Sequence, residues 1–104
     1  MLKRMVSQLG YKLVISQESP EVNGCSDYIG CIFYPRDVRS CKYQYTEPTI
    51  LVNSSLTDNI DEVIIHELGH AICDKLLGEE YHKMSVGTRE TLADNAQDLI
   101  KSLQ

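Results

Sequence analysis

At 104 residues, 42% of them hydrophobic, the chain has material for one domain around a modest core and no room for a second. Its 10 basic and 15 acidic residues leave a formal charge of −5, with no Lys/Arg cluster to follow a phosphate backbone, which argues against nucleic acid as a partner. No apolar run approaches the roughly 18 residues that span a bilayer, and Met1-Leu2-Lys3-Arg4-Met5-Val6 is too short for a signal peptide, so a soluble cytoplasmic protein with no membrane partner is expected.

Leu2, Met5, Val6 and Leu9 recur at helical spacing and stop at Gly10, a residue that accepts the left-handed conformation of a helix end; the chain therefore opens on a packing helix. Residues 11–16 alternate as a strand does. Residues 17–27, with Ser19-Pro20 and Asn23-Gly24, are polar and turn-rich and lead to a second strand over residues 28–34. Residues 35–40 read as a turn into a strand near residues 42–45, and Pro48 separates that strand from another over residues 50–53. Together these predict a small, mainly antiparallel sheet. Tyr28, Tyr34, Tyr43 and Tyr45 crowd this half; packing at the sheet edges is the simpler account of them, and lining a peptide groove the alternative. An exposed sheet edge can itself hold an extended peptide by main-chain hydrogen bonds.

The four cysteines do not form a Cys-x-x-Cys pair. Cys73 falls within an apolar helix and reads as a small core residue; Cys25, Cys31 and Cys41 lack the spacing of metal ligands and read as free thiols, with a second metal site as the alternative.

Asn59 and Glu62 are spaced as a capping box, so a helix begins near Asn59; it should end at Gly78. Val63, Ile64, Ile65, Leu68, Ala71, Ile72, Leu76 and Leu77 wrap most of its circumference, which predicts burial. Residues 79–87 form a polar link. Thr88 can cap a last helix running to about Leu103, with Leu92, Ala96, Leu99, Ile100 and Leu103 as its inner face.

Within the buried helix lies His66-Glu67-Leu68-Gly69-His70. Residues four apart share a helical face, so the two imidazoles can aim at one ion while Glu67 lies one residue round, beside whatever water the ion carries. A zinc site needs a third protein ligand, and Glu90, in the helical segment Glu90-Thr91-Leu92-Ala93-Asp94, would close it. That pattern, a Glu and an Asp four apart downstream of the paired histidines, resembles the gluzincin metallopeptidases of the thermolysin type. Closer in size and setting is the ImmA/IrrE-like group of zincin metallopeptidases, whose pattern is similar to Thr49-Ile50-Leu51-Val52-Asn53, then His66 to His70, then Glu90 to Asp94. The resemblance covers residues 28–101. Where that group continues with an aromatic-Ala pair, this chain has Asn95-Ala96-Gln97.

The resemblance implies a minimal α+β zincin-like domain over residues 1–104, with Zn²⁺ on His66, His70 and Glu90 and with Asp94 supporting a zinc-binding histidine. It also implies an edge strand that holds the substrate over the metal. Zinc would acidify a bound water and polarise an amide carbonyl, and Glu67 would act as general base. Tyr81, eleven residues after His70 where thermolysin-like enzymes carry a Tyr, and the adjacent His82 are the candidates for the oxyanion donor; the alternative is an ordinary surface loop. Asp74 is either an acceptor for an imidazole N–H or an exposed helix charge. The function expected is zinc-dependent hydrolysis of a protein or peptide substrate, such as a regulatory protein. The alternative is a non-catalytic, zinc-stabilised binding or regulatory protein of the phage or mobile-element type; Glu67 weighs against it, because a purely structural site needs no base.

Overall fold

An uninterrupted apolar run, Ile50-Leu51-Val52, offers no polar face to water, so its strand has to lie inside a sheet covered on both sides. The computed structural model, which describes residues 1–18, 28–39 and 45–104, has it there. Strand Thr49–Asn53 (β3) is buried throughout and lies between Lys12–Ser16 (β1) and Gly30–Phe33 (β2) in a three-stranded sheet. Ile50 and Val52 pack on one face against the helices Leu2–Gln8 (α1) and Ile60–Leu77 (α3), while Leu51 faces the other way, towards Phe33, Val14 and Val38.

The sheet is mixed rather than mainly antiparallel. β1 runs parallel to β3, with Lys12 opposite Thr49, and β2 runs antiparallel to it, with Phe33 opposite Thr49. Parallel pairing needs a long crossover, and the segment between β1 and β3, which includes β2, provides one. Residues 35–39 are a single helical turn, Pro35–Val38 (α2), entered through Pro35 at its first position and held by Asp37 Oδ2, which accepts from the Tyr34 N–H at 2.9 Å. The Ser19-Pro20 and Asn23-Gly24 turns, and all but Tyr45 of the strand expected near residues 42–45, lie outside the described residues. Tyr45 meets Phe33 edge-on, ring centres 5.2 Å apart.

Helix boundaries follow local chemistry. α1 ends before Gly10, whose φ is +88°. Asn53 Oδ1 accepts from the Ser55 N–H at 3.0 Å as the chain leaves β3, and Asn59 Oδ1 accepts from the Glu62 N–H at 3.2 Å to start α3. α3 stops at Leu77, but its last apolar residues, Leu76 and Leu77, are exposed rather than wrapped. The expected polar link contains a short helix, Glu79–Lys83 (α4), that buries Tyr81 completely. Ser85, not Thr88, caps the last helix, Val86–Ser102 (α5): its Oγ accepts from the Thr88 N–H at 3.2 Å.

α5 lies antiparallel across α3. Lys101 Nζ reaches Glu62 Oε2 at 3.0 Å at one end of the contact, and Glu90 lies against His70 at the other. The helices meet backbone to backbone: a Cβ placed on Gly69 would stand 2.5 Å from the Ala93 carbonyl oxygen. With the contact centred on Ala93 and Ala96, Leu99 and Leu103 turn outward and are about two-thirds exposed, contrary to the inner face expected of them. Among the described residues the architecture is α+β, five helices with one mixed sheet, and no helix is long and apolar enough to cross a membrane.

Candidate metal centre

The close approach at Gly69 carries Glu90 over the two histidines of α3. Glu90 Oε2 lies 3.6 Å from His66 Nε2, and Oε1 lies 3.4 Å from His70 Nε2. The three ligand atoms all fall within 4.8 Å of one another. Donor atoms about 2.0–2.2 Å from a four-coordinate ion stand roughly 3.3–3.6 Å apart, so the separation of each imidazole from its nearer Glu90 oxygen suits a metal ion. These three residues could hold a metal ion. Glu90 is half exposed, His66 partly so and His70 buried, which leaves one side of the group open.

Each imidazole is anchored through its other nitrogen. His66 Nδ1 lies 3.3 Å from Gln97 Oε1, and His70 Nδ1 lies 2.5 Å from the Tyr81 hydroxyl. Tyr81 is fully buried; its hydroxyl donates to the Arg89 carbonyl at 3.3 Å and is also hydrogen-bonded to Tyr34. With its own proton on the Arg89 carbonyl, the Tyr81 oxygen is an acceptor for His70 Nδ1–H, which is the tautomer that leaves Nε2 with a free lone pair facing Glu90. Burial pushes the Tyr81 phenol up to about 12, so it stays neutral in that role. Burial also lowers the His70 pKa, against the pull of the Glu90 carboxylate, which keeps the ring in the neutral form a metal requires.

Asp94, expected to support a histidine, does so through no hydrogen bond, although its carboxylate acts on the His70 charge. It is exposed. The reason is helical phase: at about 100° per residue, seven residues bring Gln97 back to within roughly 20° of Glu90, whereas four leave Asp94 about 40° round. In the antiparallel crossing, His66 lies one turn before His70 and so meets α5 further along, at Gln97.

Nor do Tyr81 and His82 stand where an oxyanion donor would. Tyr81 backs His70 from inside the core, on the side away from Nε2. His82 Nε2 is paired with Asp74 Oδ1 at 2.6 Å, and its ring lies edge-on to Tyr34 and Tyr81, with centres 4.6 and 5.5 Å away. Asp74 thus partners an imidazole, but that of His82 and not that of a candidate ligand. Residues 79–83 form a helix packed under α3 rather than a surface loop, which turns both side chains inward.

Glu67 is buried and shares a cleft of about 390 Å³ with His66, His70 and Glu90. Burial raises its carboxyl to about 7; the His66 imidazole pulls it back and the Glu90 carboxylate adds to the rise. β2 forms the opposite wall through Gly30, Cys31 and Ile32. It comes this close because residue 30 is glycine: a Cβ there would lie 2.5 Å from Val63 Cγ1 and 3.2 Å from Glu67 Oε1. Tyr34, Val86 and Arg89 complete the lining, and sequence reasoning assigned none of them a role at the metal. Gln97 was discoverable from its seven-residue spacing to Glu90. Nothing local marks Arg89 or Gly30. The second-metal alternative for the cysteines involves Cys25 and Cys41, which lie outside the described residues; Cys73 is a buried core residue, as expected.

Compared with protein-family models, with curated proteins and with solved structures, the chain matches none.

Proposed function

We propose that this protein is a zinc-dependent metallopeptidase resembling the ImmA/IrrE-like zincins, which hydrolyses a peptide bond with Glu67 as general base. The observation that carries the reading is the position of Glu67: it is a buried carboxyl in the same cleft as a ready-made three-ligand group, yet not one of the ligands. A site meant only to staple the fold has no use for a carboxyl held beside its open side. Two imidazoles and one carboxylate are a donor set suited to zinc.

Bound there, the ion supplies Lewis acidity to a carbonyl oxygen and acidifies a water. The remaining work falls to the chain. Glu67, poised near neutrality, accepts a proton from the attacking water and delivers it to the amine nitrogen as the C–N bond breaks, so that water is added across the peptide bond. His66 and His70 keep their orientation through Gln97 and Tyr81. β2 is an edge of the sheet among the described residues and borders the cleft, so an extended peptide can pair with its outer main-chain groups.

The test separates metal from chemistry. Glu67→Gln should keep about one equivalent of zinc, by metal analysis, and lose cleavage of any protein or peptide the wild type cuts. Cleavage retained by that variant would falsify the mechanism, and a folded wild type that refuses zinc would remove the metallopeptidase reading altogether.

A further inference from the structure

Arg89 is the one Lys or Arg of the cleft, and among the described residues its side chain has no partner. Its Nε is buried without a hydrogen bond, and its guanidinium makes no salt bridge to any described residue, although Glu90 follows it directly in the chain. Neighbours one residue apart on a helix point in different directions, so Glu90 serves the histidines and cannot also serve Arg89. The charge lies on the His70 side of the cleft, where it acts on both His70 and Tyr81. The remaining lining offers it no anion: Glu90 and Glu67 face the metal group, and Tyr34 is bonded to Tyr81. Arg89 lines the cleft, and the ligand geometry a guanidinium recognises best is a carboxylate, held by two parallel N–H donors.

The opposite side of Glu67 has a different character. A second cleft, of about 400 Å³, shares Gly30, His66 and Glu67 with the first and is bordered by Ile29, Val63 and the acidic Glu62. The one Arg of the two clefts therefore lies on the His70 side of Glu67. With zinc in place the charges at the site, two from the ion, one from Arg89 and one negative from each of Glu67 and Glu90, sum to a positive value that favours an anionic ligand despite the chain's overall charge of −5.

We infer that Arg89 is the specificity residue of this cleft, binding a carboxylate of the substrate on the His70 side of the scissile bond. That carboxylate is either a peptide C-terminus or an Asp or Glu side chain. The word substrate rests on the peptidase reading; the carboxylate recognition does not.

Binding in the Glu67→Gln background, where no peptide is consumed, tests it. Three N-acetylated tetrapeptides serve as probes: one with a glutamate side chain and an amidated C-terminus, one with a free C-terminus and no acidic side chain, and one with neither. At least one carboxylate-bearing peptide should bind about tenfold or more tightly than the neutral one by calorimetry, and the arm that shows the preference names the source. The preference should persist at threefold or more without zinc, when no ion can attract the carboxylate. It should fall to within twofold in Arg89→Gln and recover only in part in Arg89→Lys, which restores charge but not the fork. Equal binding of all three peptides, or a preference untouched by Arg89→Gln, overturns the assignment. Carboxylate preference in a protein that never cleaves a peptide would leave Arg89 its role and remove the peptidase reading alone.

Discussion

Gly69→Ala tests how the metal group is assembled. The added Cβ would stand 2.5 Å from the Ala93 carbonyl oxygen, roughly 0.9 Å inside ordinary contact at about 3.4 Å. The obstacle is helix backbone, so no rotamer change relieves it, and α3 and α5 have to part by most of that distance. Overpacking of this kind costs about 1–3 kcal/mol, offset by the roughly 1 kcal/mol that alanine gains over glycine inside a helix, for a net loss near 1 kcal/mol. The larger effect falls on the metal. Ala93 is one turn from Glu90, whose oxygens lie 3.4 and 3.6 Å from the histidine nitrogens, and ligand distances tolerate only about 0.2 Å before coordination weakens. Zinc affinity should drop about tenfold or more in a competition titration against a chromogenic chelator, while urea denaturation of the zinc-free protein shows the modest stability loss. Gly87→Ala is the control. It lies on α5 with nothing within 4 Å of its added Cβ and should be neutral or slightly stabilising. Equal stability and equal zinc affinity in the two variants would refute the argument that the Gly69 contact positions Glu90.

Tyr81→Phe removes the acceptor for His70 Nδ1–H and should weaken zinc binding by about 10–100 fold, whereas Asp94→Ala, on an exposed face, should leave it within about twofold; the reverse order in the same titration would reinstate Asp94 as the supporting residue. A second prediction concerns pH. Because burial raises the Glu67 pKa from 4.5 to about 7 in the metal-free fold, folding is favoured below the unfolded value and that contribution is lost as pH rises from about 4.5 through about 7. Metal-free Glu67→Gln, which has no charge to bury, should therefore exceed the wild type in stability by up to about 3 kcal/mol at pH 8 and by little at pH 4.5. Denaturation curves at the two pH values check this, and a pH-independent difference would mean that the carboxyl is not desolvated as the fold indicates.

Part of this protein could be read from the chain alone because it depends on neighbours in sequence. The four-residue spacing of His66 and His70, the cap at Asn59, the stop at Gly78 and the wholly apolar Ile50-Leu51-Val52 are local patterns whose consequences follow from helix and strand periodicity. Glu90 was legible because a carboxylate on a second helix is the simplest third ligand. The direction of β1 was not, since parallel pairing depends on the path of a long crossover rather than on any residue in the strand. The partners of the two imidazoles were not legible either. Whether Gln97 or Asp94 meets His66, and whether Tyr81 faces the cleft or the core, turns on the antiparallel crossing of α3 and α5 and on the short helix packed beneath them. Those choices are made where Gly69 meets Ala93, a contact between residues distant in sequence whose small side chains carry no pattern of their own; only the fold shows that their lack of bulk lets the two helices touch and sets the phase of every side chain along the seam.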